Sequence, residues 1–520
     1  MATPKSVFDQ PDAAALAHDE PVVAAIVADR SFFGQPRGLS TLFFTEMWER
    51  FSYYGIRPLL VLFMTAALAN GGFAFERSTA AAIVGIYAGS VYLAALPGGW
   101  IADRWLGLRR AVWWGGVFIA LGHLSIALSA VFAHRAFFLG LVLIVIGTGL
   151  LKPNVSAIVG DLYPEGGARR DSGFSVFYIG INLGALLAPL ITGILGERVG
   201  WHWGFGAAGV GMLIGLITFR MRAPATLGPI GLRPSSTPDE QRKVKNLALG
   251  GLAAAAVLIA LAMTGMVPIN AIAIAHAMTN VTLGMAGAYF LYLFFFAGLT
   301  LDEKKRVAVI IVLFFFAVVF WSAYEQAPTS LNLFAKDFTD RRVFGWEMPT
   351  SWLQSVPSFF VITFAAIFAW IWVLLARRGI DLSSPTKFSI GLVLAGLGFV
   401  VMVVASNRVL ASGGALRVSV VWLLASYFFQ VMGELMVSPV GLSSMTKLAP
   451  RKFVGQMMGI WFMASALGNL IAGLVGGNVD PNKLEQMPQL FQRTALSLFI
   501  AAAILAVLVV PIRRMMRERA

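Results

Sequence analysis

Residues 45–60 read TEMWERFSYYGIRPLL, placing four charges inside a stretch that is otherwise apolar from position 40 to position 69. On a helix, Glu46, Glu49, Arg50, Tyr53 and Tyr54 are spaced i, i+3, i+4, i+7 and i+8, and Arg57 continues the stripe. A polar face on an apolar helix has two readings: a Glu/Arg cluster that locks helices together, or the lining of a hydrated cavity. Each ionisable group in a span costs roughly 2.5–3.5 kcal/mol at the bilayer centre. Several unlike charges plus two tyrosines exceed what a lock needs, so the sequence favours the cavity.

Composition sets this helix in a membrane. The chain has 520 residues, 58% hydrophobic and 13% charged, with a mean hydropathy of +0.77. A soluble domain carries about 25% charge, so a single soluble core and a disordered chain are both excluded. The absence of cysteine removes disulfide frameworks and thiolate metal ligands. Between residues 40 and 512, apolar runs follow one another, each long enough to cross about 30 Å of hydrocarbon as a helix. They give about fourteen spans.

The net charge of +14 resolves into topology rather than nucleic-acid binding. With the N-terminus cytoplasmic, about 27 of the Lys and Arg residues fall in inner segments and about 10 in outer ones. Both termini then lie inside, which requires an even number of spans. Residues 1–38 read as a cytoplasmic tail with a short surface helix, and 513–520 as a second tail. The interval 222–246 (RAPATLGPIGLRPSSTPDEQRKVKN) contains four prolines and reads as a linker. Six spans precede it in 39–221. A pair rich in Ala, Met and Gly follows in 247–300, and six more lie in 301–512. The expected architecture is an all-α polytopic membrane protein of two six-helix bundles with an inserted two-helix hairpin, and no residue-level repeat between the bundles stands out.

Further charges sit where the bilayer penalises them: Lys152 in GTGLLKPNVSAIVGDLYP (147–164), Glu325 in FWSAYEQAPTSL and Glu434 in FFQVMGELMVSP. Asp103 and Arg104 in GGWIADRWLGLRR (98–110) read as an interfacial charge pair. The five histidines, His18, His123, His134, His202 and His276, show no metal-ligand spacing. Small residues around Gly468 and Gly473 read as helix contacts. There is no Walker A, HExxH or GxSxG motif, so no enzyme is expected, nor any metal.

ERFSYYGIR, with Glu46 ahead of it, resembles the ExxERFxYYG motif of the proton-dependent oligopeptide transporters of the major facilitator superfamily. GTGLLKPNVSAIVGDLYP followed by RRDSGFSVFYIGINLGALLAP (169–189) resembles the signature of that family around spans four and five. FFFAVVFWSAYEQ (314–326) resembles FYxxxxWxxFEQ, with Tyr324 in place of Phe. GGWIADRWLGLRR resembles the loop between spans two and three of the superfamily. The resemblance covers about residues 40–512. Its extra helical pair, and the short loop after Asn407, are similar to bacterial members.

The resemblance implies the major facilitator fold with fourteen transmembrane helices. It also implies proton-coupled import of di- and tripeptides across a bacterial inner membrane by a monomer, with the proton gradient in place of a cofactor. Arg57 and Lys152 would bind the peptide carboxylate, with Arg50 close by, and Glu434 its amino group. Tyr53, Tyr54, Tyr92, Asn182, Trp321, Ser438 and Trp461 would line side-chain pockets. Glu46, Glu49 and Arg50 would form a proton-linked cluster, and Glu325 would pair with Arg57 in one gating state. Two departures stand out: QSVPSFF puts Pro357 where many bacterial members have a pocket Asn, and the second span lacks the histidine of animal members.

The physics runs the same way. A short peptide is a zwitterion with its charges at fixed separation, which cations and an acid recognise without reading side chains. Burial raises a carboxyl's proton affinity and a neighbouring guanidinium lowers it, so an acid alternating between those environments takes up and releases a proton. One pH unit and 100 mV together supply about 3.7 kcal/mol, or roughly 400-fold accumulation per proton. The alternatives are the same scaffold carrying another small anion or zwitterion, and a non-transporting membrane receptor. Glu434 suits an amine and opposes a simple anion, which favours peptides.

Overall fold

The structure, a computed structural model, describes residues 13–264, 269–379 and 382–517. The first twelve residues of the N-terminal tail and the last three of the C-terminal one lie outside the described residues, as do 265–268. Sixteen α-helices follow in order: α1 (Ala13–Ala28), α2 (Arg37–Thr65), α3 (Arg77–Ile101), α4 (Leu108–Ala127), α5 (Ser129–Asp161), α6 (Gly167–Ile194), α7 (Trp201–Leu227) and α8 (Pro238–Met263). Next come α9 (Ala271–Phe295), α10 (Leu301–Tyr324), α11 (Asn332–Phe338), α12 (Val356–Arg377), α13 (Ser384–Ala411), α14 (Val421–Leu448), α15 (Val454–Gly476) and α16 (Gln486–Arg517). Among the described residues, 13 helical segments are long and apolar enough to cross a membrane. Helix α2 is not among them, although its 29 residues reach about 43 Å, because it carries the charged stripe.

The region expected as a linker is shorter than its prolines suggested. Helix α7 runs through Pro224 to Leu227. Helix α8 begins at Pro238, where proline needs no hydrogen-bond partner for its nitrogen, and Thr237 caps it by accepting from the Glu240 N–H. Helix α8 is almost wholly exposed and α9 mostly so, which suits lipid-facing helices.

The chain forms two compact units. Unit 1 comprises Met1–Tyr54, Ala94–Ala188 and Phe205–Pro268; unit 2 comprises Gly55–Leu93, Pro189–Gly204 and Ile269–Ala520. They differ from the contiguous bundles 39–221 and 301–512, because 55–93 and 189–204 pack with unit 2. The hairpin expected at 247–300 is also divided, α8 belonging to unit 1 and α9 to unit 2.

In unit 1, α4 packs along α5 through glycines. A Cβ on Gly115 would stand 2.6 Å from the Gly147 carbonyl oxygen, and one on Gly122 2.7 Å from that of Gly140. The fit is of the small-residue kind that lets membrane helices approach closely. Unit 2 repeats it between α13 and α14, where a Cβ on Gly391 would meet the Gly433 carbonyl at 2.9 Å and one on Gly398 the Ser426 carbonyl at 2.8 Å. The small positions recur at seven-residue spacing in all four helices, an internal repeat that hydropathy alone conceals. Tyr163, buried and with its phenol pushed up to about 12 by that burial, donates to Gln35 Oε1 at 2.8 Å and anchors the start of α2.

In unit 2, Glu197 ties the end of the α6 segment to the turn before α12. Its carboxylate accepts from the Thr350 N–H (2.8 Å), the Ser351 N–H (2.8 Å) and Ser351 Oγ (2.6 Å). Trp352 Nε1 donates to the Leu190 carbonyl nearby. Glu197→Ala leaves two backbone donors unsatisfied and is expected to cost about 2 kcal/mol, with Glu197→Gln losing less. Denaturant unfolding of the purified protein in mild detergent measures this, and equal midpoints for wild type and Glu197→Ala would refute the assignment.

Candidate functional site: buried ion pairs on membrane helices

In unit 1 the stripe of α2 is folded into a charge cluster. Arg50 Nε lies 3.1 Å from Glu46 Oε1, and Arg50 NH2 lies 2.5 Å from Glu49 Oε2. All three side chains are buried. The Arg50 guanidinium also stands 5.3 Å from the centre of the Tyr53 ring, which meets Tyr54 edge-on. Gly184 on α6 allows the approach, since a Cβ there would lie 3.1 Å from Arg50 Cβ. Asn182, one half-turn earlier, is buried and donates to the Tyr178 carbonyl. Lys152 is half-buried on α5, near enough to Glu46 to act on it electrostatically. Glu46, Glu49, Arg50, Tyr53, Tyr54, Lys152 and Asn182 therefore share one unit.

The remaining expected residues, Arg57, Tyr92, Trp321, Glu325, Glu434, Ser438 and Trp461, fall in unit 2. Two prolines shape their surroundings. Pro58 interrupts the hydrogen-bond ladder of α2; the Pro58 carbonyl accepts from Asn332 Nδ2 (2.8 Å) and the Gly55 carbonyl from Thr192 Oγ1 (2.8 Å). Pro328 breaks the helix after α10, where Ala327–Leu331 widen into a π-turn. Glu325 caps α10 at this break.

Arg57 donates to Glu325 and, from the same NH2, to Asn469 Oδ1 at 3.1 Å. Arg57 is 9% exposed, Glu325 6% and Asn469 2%, so the group is shielded and its Coulomb attraction is little screened. Glu434 on α14 accepts a 2.6 Å hydrogen bond from Tyr324 Oη. Tyr324 stacks on Phe320 and meets Trp321 edge-on. Trp461 is buried beside Phe388, and Tyr92 tilts against Phe462. Ser438 lies half-buried one turn beyond Glu434. Pro357 is the second residue of α12, a position proline tolerates.

Sequence reading missed Asn469, a polar residue in the apolar run of α15. It also missed the acceptance of the Tyr324 hydroxyl by Glu434; the signal was the Tyr in place of Phe before Glu325. Asp103 and Arg104 do not pair with each other: Arg104 bonds Glu240, and the Asp103 carbonyl accepts from Ser235. Among the described residues, no cluster of three or more His, Cys, Asp and Glu gathers where a metal could bind.

Long apolar helices bearing buried ion pairs define a polytopic membrane transporter rather than an enzyme. The POT family profile matches residues 109–490, and the chain belongs to that family. It is 52% identical over 495 residues to the peptide transporter YePEPT of Yersinia enterocolitica subsp. palearctica, covering 94% of this chain and 97% of that one. It is 37% identical to the di-/tripeptide transporter of Lactococcus lactis subsp. cremoris, covering 85% and 89%. A crystal structure of the peptide transporter POT in complex with sulfate superposes with a TM-score of 0.87 at 40% identity, covering 96% of this chain and 99% of that one. A POT family transporter in complex with 5-aminolevulinic acid gives 0.85 at 34% identity, covering 93% and 98%. The fold is that of the major facilitator superfamily.

Proposed function

We propose that this protein is a proton-coupled symporter that imports di- and tripeptides across a bacterial inner membrane by alternating access. It works as a monomer with both termini cytoplasmic and needs no cofactor. In this reading 39–221 and 301–512 are the two transport bundles and 247–300 is an inserted hairpin facing lipid. The observation that carries it is the buried Arg57–Glu325 pair, held on membrane helices where an ion pair without a task is a net cost. Arg57 and Lys152 supply cations for the peptide carboxylate and Glu434 the anion for its amino group. Tyr53, Tyr54, Tyr92, Asn182, Trp321, Ser438 and Trp461 line the side-chain pockets. Glu46, Glu49, Arg50 and Glu325 carry the proton coupling.

Coupling follows from competition for one guanidinium. While Glu325 is ionised it holds Arg57; once protonated it gives up most of that attraction, and Arg57 becomes available to a substrate carboxylate. The relatives named for peptides support the substrate class. The neighbour that holds 5-aminolevulinic acid favours a second reading, transport of other small amino-carboxylate zwitterions.

The test is uptake of labelled dialanine into proteoliposomes, with and without imposed pH and voltage gradients, with 5-aminolevulinic acid as competitor. Gradient-dependent accumulation supports symport, and uptake indifferent to both gradients overturns it. Lys152→Ala removes one charge-assisted contact and is expected to slow dialanine uptake by about tenfold or more. Unchanged uptake would remove Lys152 from the site.

A further inference from the structure

Unit 2 contains a charged cavity that the proposed peptide site does not use. It has a volume of about 670 Å³ and sits at one end of the helices, near the start of α10 and α13 and the end of α12, α14 and α16. Arg306, Lys387 and Lys447 line it from three different helices, against a single acid, Asp302. Among the described residues, no carboxylate lies within ion-pair distance of any of the three cations. Lys387 is held over the Trp372 ring with Nζ 4.4 Å from its centre. Arg306 and Lys387 are half-buried, and Lys447 is exposed at the mouth.

Three like charges converging on one cavity repel one another, and the half-burial of Arg306 and Lys387 weakens the water that would screen those two. An anion in the cavity removes that cost. The neutral lining suits an oxyanion with several acceptors: Ser384, Ser443 and Ser444 add hydroxyl groups. The start of α13 adds backbone N–H groups, because Ser383 bonds Thr386 and does not cap the helix. Further in, Leu435 and Val440 make the wall apolar. Along α14, Leu435, Pro439, Ser443 and Lys447 line this cavity, and Glu434 and Ser438 are not part of its lining.

We propose that this cavity binds a phosphate ester, gripped by Arg306, Lys387 and Lys447. An arginine fork with flanking lysines is a phosphate donor set, and an apolar inner wall beside it accepts a glycerol backbone or acyl stub. Two sources share this chemistry, the headgroup of an anionic phospholipid and a soluble phosphate monoester. With the orientation proposed above, the cavity opens at the cytoplasmic end, where basic pockets between membrane helices meet anionic headgroups.

The test is a binding measurement that needs no transport. The full-length protein in detergent is titrated with dioleoyl phosphatidylglycerol, with dioleoyl phosphatidylcholine and with sn-glycerol 3-phosphate, and retention is read by native mass spectrometry. Phosphatidylglycerol is expected to be retained over phosphatidylcholine, and Arg306→Gln with Lys387→Gln to weaken that retention by about 30-fold. The charge-preserving pair Arg306→Lys with Lys387→Arg should keep most of it, which separates loss of charge from loss of fold. Displacement of the lipid by glycerol 3-phosphate on the wild-type protein would identify a soluble ester as an occupant; lipid retention without displacement would identify the headgroup. Equal retention of the two lipids with no binding of glycerol 3-phosphate would overturn the proposal, as would phosphatidylglycerol retention that the glutamine pair leaves unchanged. Either failure would leave the peptide reading intact, because uptake of dialanine is measured separately.

Discussion

Glu325→Gln is expected to abolish proton-driven concentration of dialanine while leaving exchange of dialanine across the membrane. The wild-type carboxylate holds Arg57 in a shielded pair that Asn469 supports. Glutamine keeps the shape and an acceptor oxygen but carries no charge and takes up no proton. The variant therefore resembles the protonated acid permanently: Arg57 stays available to substrate, and no step of the cycle waits on a proton. A driving force of about 3.7 kcal/mol supports roughly 400-fold accumulation, and the variant should fall to no accumulation above equilibrium. Counterflow of labelled against unlabelled peptide should persist, which also shows that the protein has folded despite the loss of a buried partner. Glu49→Gln should behave similarly, because it removes one of the two acids that hold Arg50. If both variants still concentrate dialanine against a gradient, the proton assignment is wrong.

The second large effect is steric. Within unit 2, α3 and α15 touch backbone to backbone: a Cβ on Gly85 would lie 2.8 Å from the Asn469 carbonyl oxygen and 2.8 Å from Gly473 Cα. A Cβ on Gly473 would lie 2.7 Å from Gly85 Cα. No rotamer relieves a clash that begins at Cβ, so Gly85→Leu must push the helices apart. Asn469 would move with them, weakening its hold on Arg57. Overpacking of this kind costs typically 1–3 kcal/mol, enough to shift a conformational population by about 5- to 150-fold. Dialanine uptake should fall by about tenfold or more. Because the chain has no cysteine, spin labels on Asn70→Cys and Asn482→Cys can report the change directly. Their distance should lengthen in Gly85→Leu; unchanged distance and unchanged uptake would show that the contact does not matter to the cycle.

What could be read from the sequence differs from residue to residue. The α2 stripe was legible because helix geometry places positions three and four apart on one face, and Glu46, Glu49 and Arg50 do meet there. The extent of the linker was not. Pro224 suggested a break, yet helix α7 continues past it to Leu227, and Thr237 and Pro238 start the next helix. Proline identity alone cannot distinguish those outcomes, since the freed carbonyl can find another partner. The grouping of 55–93 and 189–204 with unit 2 was equally invisible, because chain order says nothing about which distant segments touch.

The hydropathy pattern and the placement of charge were enough to establish a many-span α-helical membrane protein, since a backbone in hydrocarbon must satisfy its own hydrogen bonds and a buried charge is too costly to keep idly. Which charge meets which needed the tertiary structure. Arg57 and Glu325 are 268 positions apart and Arg57 and Asn469 are 412 apart, and it is the packing of helices at glycines such as Gly85 and Gly473 that brings such groups within bonding distance.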